Sequence, residues 1–79
     1  MRYGGVTIAA YLKQNRLSVE QFAKQVGVTV STVYRHLLAD VEPKAGTIER
    51  YVRGTLGAVT ASDVILEYVT LRDAKRKRR

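Results

Sequence analysis

The chain has 79 residues, 46% of them hydrophobic, with a net charge of +7 and no cysteine. This length predicts one small domain, and the lack of cysteine excludes disulfide bonds and thiolate metal sites. No apolar run approaches the roughly 20 residues of a membrane span, and the N-terminus lacks the apolar core of a signal peptide. We therefore expect a cytoplasmic protein that neither spans a membrane nor carries a metal.

Most of the positive charge lies at the end of the chain. The last five residues are all basic, so residues 1–74 have a net charge of only +2. The high isoelectric point therefore describes the terminal segment more than the folded body. We predict a flexible N-terminal arm over 1–5, a folded domain over 6–74 and a disordered basic tail over 75–79.

The first two helices are predicted from their start signals. Thr7 is a candidate N-cap for a helix over 8–15, whose apolar residues recur at helical spacing. Ser18 and Gln21 stand three residues apart in the pattern of a capping box, which predicts that a second helix begins there.

Three further helices are predicted downstream. The third runs over 29–38, and the fourth runs over 47–55 after a loop that contains the only proline. Thr60 and Asp63 form another helix-start pattern, which opens a fifth helix over 61–74. No segment alternates long enough to predict a strand. The predicted fold is therefore all-α, a compact domain of five helices.

The second and third helices are spaced as in a helix-turn-helix. Ala23 is small enough to let the next helix cross closely, and Gly27 can adopt the positive φ that ends a helix sharply. Val33 then packs back onto the first helix of the pair. This geometry turns the outer face of the third helix toward solvent, where it can enter a DNA major groove.

The outer face of the third helix carries the candidate base-reading residues. With Val33 taken as the inward centre, Ser31, Arg35 and Leu38 fall on the opposite side and Tyr34 falls at its edge. An arginine can bond a guanine edge with two donors, worth about 1–3 kcal/mol of discrimination. The predicted base-reading residues are Thr29, Val30, Ser31, Tyr34 and Arg35.

Contacts to DNA phosphates are predicted from polar and basic side chains. Backbone contacts of this kind position a protein without reading sequence, and a basic tail raises the affinity for any sequence. The predicted phosphate-binding residues are Ser18, Gln21, Lys24, Thr32, Lys44, Lys75, Arg76, Lys77, Arg78 and Arg79.

The fifth helix has more apolar surface than one buried face requires. Val64 and Tyr68 share a face that is predicted to cover the core, while Ile65, Leu66 and Val69 extend to another side. This second side predicts a homodimer interface that pairs two reading helices on a palindromic site. The alternative is that the whole apolar arc packs on the first and fourth helices.

His36 is the only histidine, and a structural, partly buried role is predicted for it. The sequence contains no plausible pair of nucleophile and base, no glycine-rich phosphate loop and no convergent carboxylate pair. We therefore expect neither an enzyme nor a cofactor.

Two segments resemble the Cro and lambda-repressor class of helix-turn-helix proteins. Residues 22–37, FAKQVGVTVSTVYRHL, align with the motif of that class without a gap, and residues 50–63, RYVRGTLGAVTASD, resemble the ending of small Cro-like regulators and antitoxin-type relatives. The chain differs from the family at Val19, where many relatives have glutamine, and at His36, where an aliphatic residue is common. The resemblance implies a five-helix domain that binds operator DNA through the base-reading positions named above.

Together these features predict a sequence-specific, double-stranded DNA-binding transcriptional regulator of phage or bacterial type, which acts as a repressor by occupying a promoter. One alternative is the DNA-binding domain of a larger transcription activator that contacts RNA polymerase. The other is an antitoxin-type interaction module whose fifth helix binds a toxin.

Overall fold

The computed structural model describes residues 6–77, which form five helices. These are α1 (Ile8–Asn15), α2 (Val19–Val26), α3 (Val30–Leu37), α4 (Ala45–Gly54) and α5 (Ala61–Lys77). No strand occurs within these residues, and they form a compact globule, so the prediction of an all-helical domain is confirmed. The predicted arm over 1–5 lies outside the described residues, as do Arg78 and Arg79.

Side-chain caps start four of the helices where the sequence predicts them. Thr7 and Thr29 each accept a hydrogen bond at 3.1 Å from the amide three residues further along the chain. Ser18 and Gln21 form the full capping box, in which each side chain accepts from the backbone N–H of the other residue. At α5, Thr60 makes the same reciprocal exchange with Asp63. These bonds satisfy amides that lack a partner within their own helix.

The fourth helix begins earlier than the sequence predicts. α4 starts at Ala45 rather than at residue 47, and Lys44 takes the N-cap position directly after Pro43. The lysine side chain makes no capping hydrogen bond, so no local side-chain signal marks this start. Proline disfavours helical geometry in the residue before it, so Pro43 keeps Glu42 out of α4.

The fifth helix continues three residues beyond its predicted end and reaches Lys77. The ammonium of Lys75 donates to Leu38 O at 3.0 Å and to Asp40 Oδ1 at 2.9 Å. These two bonds attach the last turns of α5 to the segment that follows α3. The positive charges of residues 75–77 therefore do not prevent the helix from reaching Lys77.

The core lies where all five helices or their connections meet. Its largest fully buried side chains are Ile8, Phe22, Val33, Tyr51, Val59 and Val64. The rings of Phe22 and Tyr51 stack with their centroids 5.7 Å apart, and Tyr11 packs against Phe22 at 5.8 Å. The aromatic pair joins α2 to α4, so the helices on either side of α3 are fixed relative to each other.

A buried carboxylate connects the fifth helix to the first. Glu67 is 9% exposed and accepts hydrogen bonds from Ile8 N at 2.8 Å and Ala9 N at 3.2 Å. Two amides at the start of α1 therefore have a carboxylate partner that lies almost sixty residues away in sequence. A negative charge at a helix N-terminus is favourable because the amides and the helix dipole are positive there.

The absence of a side chain at Gly54 sets the distance between α2 and α4. A Cβ atom at this position would lie 2.6 Å from Val26 Cγ1 and 2.7 Å from Val26 Cα. The second of these atoms belongs to the backbone and cannot move without shifting the helix. Gly46, in the first turn of the same helix, faces open space.

The two glycines of α4 should therefore respond oppositely to alanine. We expect Gly54→Ala to lower the free energy of unfolding by roughly 1–3 kcal/mol, because the added methyl overpacks the α2–α4 contact. We expect Gly46→Ala to leave it unchanged or to raise it by about 0.5–1 kcal/mol, because alanine loses less backbone entropy in a helix. Urea unfolding of both variants tests this, and equal stabilities would contradict the close approach at Gly54.

Candidate nucleic-acid interface

A tight turn positions α3 against α2. Gly27 ends α2 with φ +80°, and the amides of Gly27 and Val28 both donate to Ala23 O, at 2.9 and 3.0 Å. Ala23 itself is 2% exposed. The small buried residue and the glycine therefore allow a sharp turn between α2 and α3.

A side chain from α4 holds the same turn from outside. Arg50 Nη1 donates to Gly27 O at 3.1 Å, and a Cβ added at Gly27 would lie 3.3 Å from that nitrogen. Nearby, Gln25 Nε2 donates to both Gly54 O and Tyr11 Oη at 2.9 Å. Sequence analysis did not identify Arg50 or Gln25 in these roles, because their partners are fourteen to twenty-nine residues away and no local motif marks them.

The third helix has one buried and one exposed face. Val33 is fully buried and His36 is 6% exposed, whereas Ser31 and Arg35 are exposed and Tyr34 is 45% exposed. The exposed residues lie on the side of α3 away from the core, as the sequence predicts. Their polar groups are therefore available to a ligand that approaches this face.

The five predicted base-reading residues differ in how far their side chains are exposed and already engaged within the protein. Thr29 Oγ1 caps α3 and also lies 2.8 Å from Thr32 Oγ1, so this hydroxyl is already engaged at the helix start. Val30 is partly buried and packs against the core cluster. Ser31, Tyr34 and Arg35 remain as the exposed members of the set.

The predicted phosphate-binding residues fall into two groups. Ser18, Gln21 and Thr32 lie at helix starts and take part in capping bonds there, which leaves Gln21 Nε2 without a partner among residues 6–77. Lys24 and Lys44 are exposed and form no ion pair within that range. The two lysines, one on α2 and one at the start of α4, are thus point charges without an ionic partner among residues 6–77.

The basic segment at the end of the chain also contains one residue that is bonded within the protein and others that are not placed in such bonds. Lys75 uses two of its N–H donors for Leu38 O and Asp40 Oδ1, so it attaches α5 to the end of α3. Arg76 is exposed, and Lys77 is the last residue of α5. The predicted contacts of Arg78 and Arg79 lie outside the described residues.

A buried polar pair lies on the inner side of α3. His36 Nδ1 is 2.6 Å from Tyr51 Oη, and the two rings meet edge to face with centroids 5.5 Å apart. Burial lowers the pKa of His36, whereas burial and the negative charge of Glu67 raise the pKa of Tyr51. Both groups are therefore neutral at neutral pH, and the buried role predicted for the histidine is confirmed.

Two kinds of site are not found in the described part of the chain. Over residues 6–77, no three histidine or carboxylate side chains are grouped so that they could hold a metal ion. Within the same range, no helix combines the length and apolar character needed to cross a membrane.

The chain matches no protein-family model, no curated protein and no solved structure. The resemblance to the Cro and lambda-repressor class therefore depends on the residues themselves. Of these, Ala23 and Val33 are buried and Gly27 ends α2 with a positive φ.

Proposed function

We propose that the chain is a sequence-specific double-stranded DNA-binding protein that inserts α3 into the major groove. The observation that carries this proposal is the division of α3 into two faces. Val33 and His36 are buried, while Ser31, Tyr34 and Arg35 are exposed beside one another on the outer side. A helix with its side chains is about 10–12 Å across, which matches the roughly 12 Å width of the groove.

The exposed groups suit the chemistry of base edges. The guanidinium of Arg35 can donate two parallel hydrogen bonds to guanine O6 and N7. Ser31 offers a hydroxyl that can donate or accept, and Tyr34 can donate to a phosphate or pack on sugar. These three residues are the proposed readers, and Thr29 and Val30 contribute mainly by fixing the start of the helix.

The proposed phosphate contacts come from exposed basic residues of three other parts of the fold. Lys24 lies on α2, Lys44 lies before α4, and Arg76 lies near the end of α5. Each phosphate that such a group neutralises contributes about −0.9 to the slope of log affinity against log salt. Together with the remaining basic residues of the C-terminal segment, they would raise the affinity for DNA of any sequence.

The protein would act as a transcriptional regulator by occupying operator DNA. We further propose that two copies associate through the outer side of α5. Ile65 and Leu66 are 50% and 66% exposed there, with Val69 half-buried beside them. A two-fold axis at this apolar surface presents two reading helices to successive major grooves.

Arg35→Ala should relax the sequence preference at one base position. We expect the variant to lose roughly 1–3 kcal/mol of discrimination at one base position, because it lacks the two guanidinium donors. The matched control is Arg53→Ala, which removes the same charge from an exposed residue of α4 whose guanidinium pairs with Glu49 at 2.9 Å. Selection of bound sites from random duplexes measures both effects.

The control should retain the motif of the unmodified protein, with at most a small loss of affinity. The choice of reading face is wrong if Arg35→Ala recovers the same motif as well. The proposed function itself is wrong if the unmodified protein enriches no motif at all.

Leu66→Glu should separate the proposed dimer without unfolding the domain, because the side chain is already exposed. We expect a lower molar mass in sedimentation experiments and a loss of the two-fold symmetric motif in favour of a single half-site. Leu56→Glu is the matched control, since Leu56 is 94% exposed and lies outside α5. A single molar mass shared by all three proteins would count against this interface.

A further inference from the structure

One nitrogen of His36, Nε2, has no hydrogen-bond partner among residues 6–77, and the residue lines a polar cleft beside α3. The cleft lies between α3, the loop that follows it and the start of α4. Its lining combines two cations, two hydroxyls, the imidazole, one valine and one carboxylate, from Arg35, Lys44, Thr32, Thr47, His36, Val41 and Glu42. His36 itself is 6% exposed.

The protonation state of this nitrogen follows from the contact on the other side of the ring. Tyr51 is fully buried, and His36 Nδ1 at 2.6 Å is the hydrogen-bond partner of its hydroxyl among the described residues. A buried O–H group without an acceptor is costly, so the hydroxyl donates to Nδ1. A neutral imidazole that accepts at Nδ1 carries its proton on Nε2.

The Nε2–H group is thus a donor whose tautomer is fixed by the Tyr51 contact, on a side chain that lines the cleft. It has no hydrogen-bond partner within residues 6–77, and it is not sealed from solvent. Neither Arg35 nor Lys44 forms an ion pair with Glu42 within 4.0 Å in the same range. Besides the two hydroxyls, the cleft therefore presents the imidazole N–H and two cationic side chains, neither of which is paired with its single carboxylate.

We propose that this cleft binds one phosphate of the DNA backbone, with His36 Nε2–H as a donor whose direction is set by Tyr51. The inference rests on the proposed function and adds a specific contact to it. A phosphate oxygen suits the cleft because it is an ionised acceptor, and bonds from N–H donors to such acceptors are stronger than bonds between neutral groups. The contact reads no base and strengthens binding to every sequence.

The unmodified protein provides the first test, because its only histidine gives unambiguous ring signals. Two-bond ¹H–¹⁵N spectra should show the Nε2–H tautomer in the free protein. On saturation with a random-sequence duplex of about two helical turns, we expect the Nε2 signal to shift. The pKa of His36 should rise in the complex, because a phosphate charge favours the imidazolium.

Two isosteric variants separate a phosphate contact from a packing role. His36→Gln places an amide donor close to the position of Nε2, whereas His36→Asn reaches only the position of Nδ1. We expect His36→Asn to weaken binding to the random-sequence duplex by about tenfold or more, the usual value of a hydrogen bond to a charged group. His36→Gln should retain most of the affinity, and a duplex with uncharged methylphosphonates should abolish the difference between the two variants.

An Nδ1–H tautomer, an unchanged His36 pKa in the complex, or equal affinities of the two variants would each overturn the phosphate contact. These results differ from a failure of the proposed function. If the protein selects a DNA motif while the His36 signals stay fixed, only the phosphate contact is refuted. If it binds no duplex, both proposals are refuted.

Discussion

The stacking of Phe22 on Tyr51 is the contact on which the arrangement of the other helices depends. It joins α2 to α4 at the centre of the core, where Val33 and His36 of α3 are buried in the same region. Val33 packs in the apolar core, and His36 bonds the hydroxyl of Tyr51. Because both contacts come from the same face of α3, the helix can neither rotate nor slide freely. A side chain on its outer face therefore has a defined direction, which recognition of a base edge requires.

Polar contacts from distant parts of the chain add to this fixation. Arg50 bonds the carbonyl at the turn before α3, and Lys75 bonds the carbonyl of Leu38 at its end. Both ends of α3 are thus attached to neighbouring helices. Arg50 and Lys75 are therefore parts of the scaffold, and the net positive charge overstates how many basic side chains are free to bind a ligand.

The sequence predicts those features whose causes are local. Ser18 with Gln21, and Thr29 with the amide of Thr32, are capping patterns within four residues, and the turn at Gly27 follows from the φ values open to glycine. The same holds for the inward position of Val33, which helical periodicity determines.

The remaining features depend on residues that are far apart in sequence. Nothing near Glu67 indicates that its carboxylate will meet the first amides of α1, and nothing near Gly54 indicates that Val26 will pack against it. The cleft beside His36 likewise exists only because the loop and the start of α4 fold against α3. Spacing along the chain identifies a histidine on the inner side of a helix, but it cannot show which ring nitrogen is bonded and which is left without a partner.

The central claim is that the outer face of α3 is the surface that meets DNA. Backbone ¹H–¹⁵N spectra recorded while the protein is titrated with its selected duplex test this claim directly. The account predicts the largest shifts over residues 29–36 and at the first turn of α2. Largest shifts on the outer side of α5, around Ile65 and Leu66, with α3 unaffected, would contradict it.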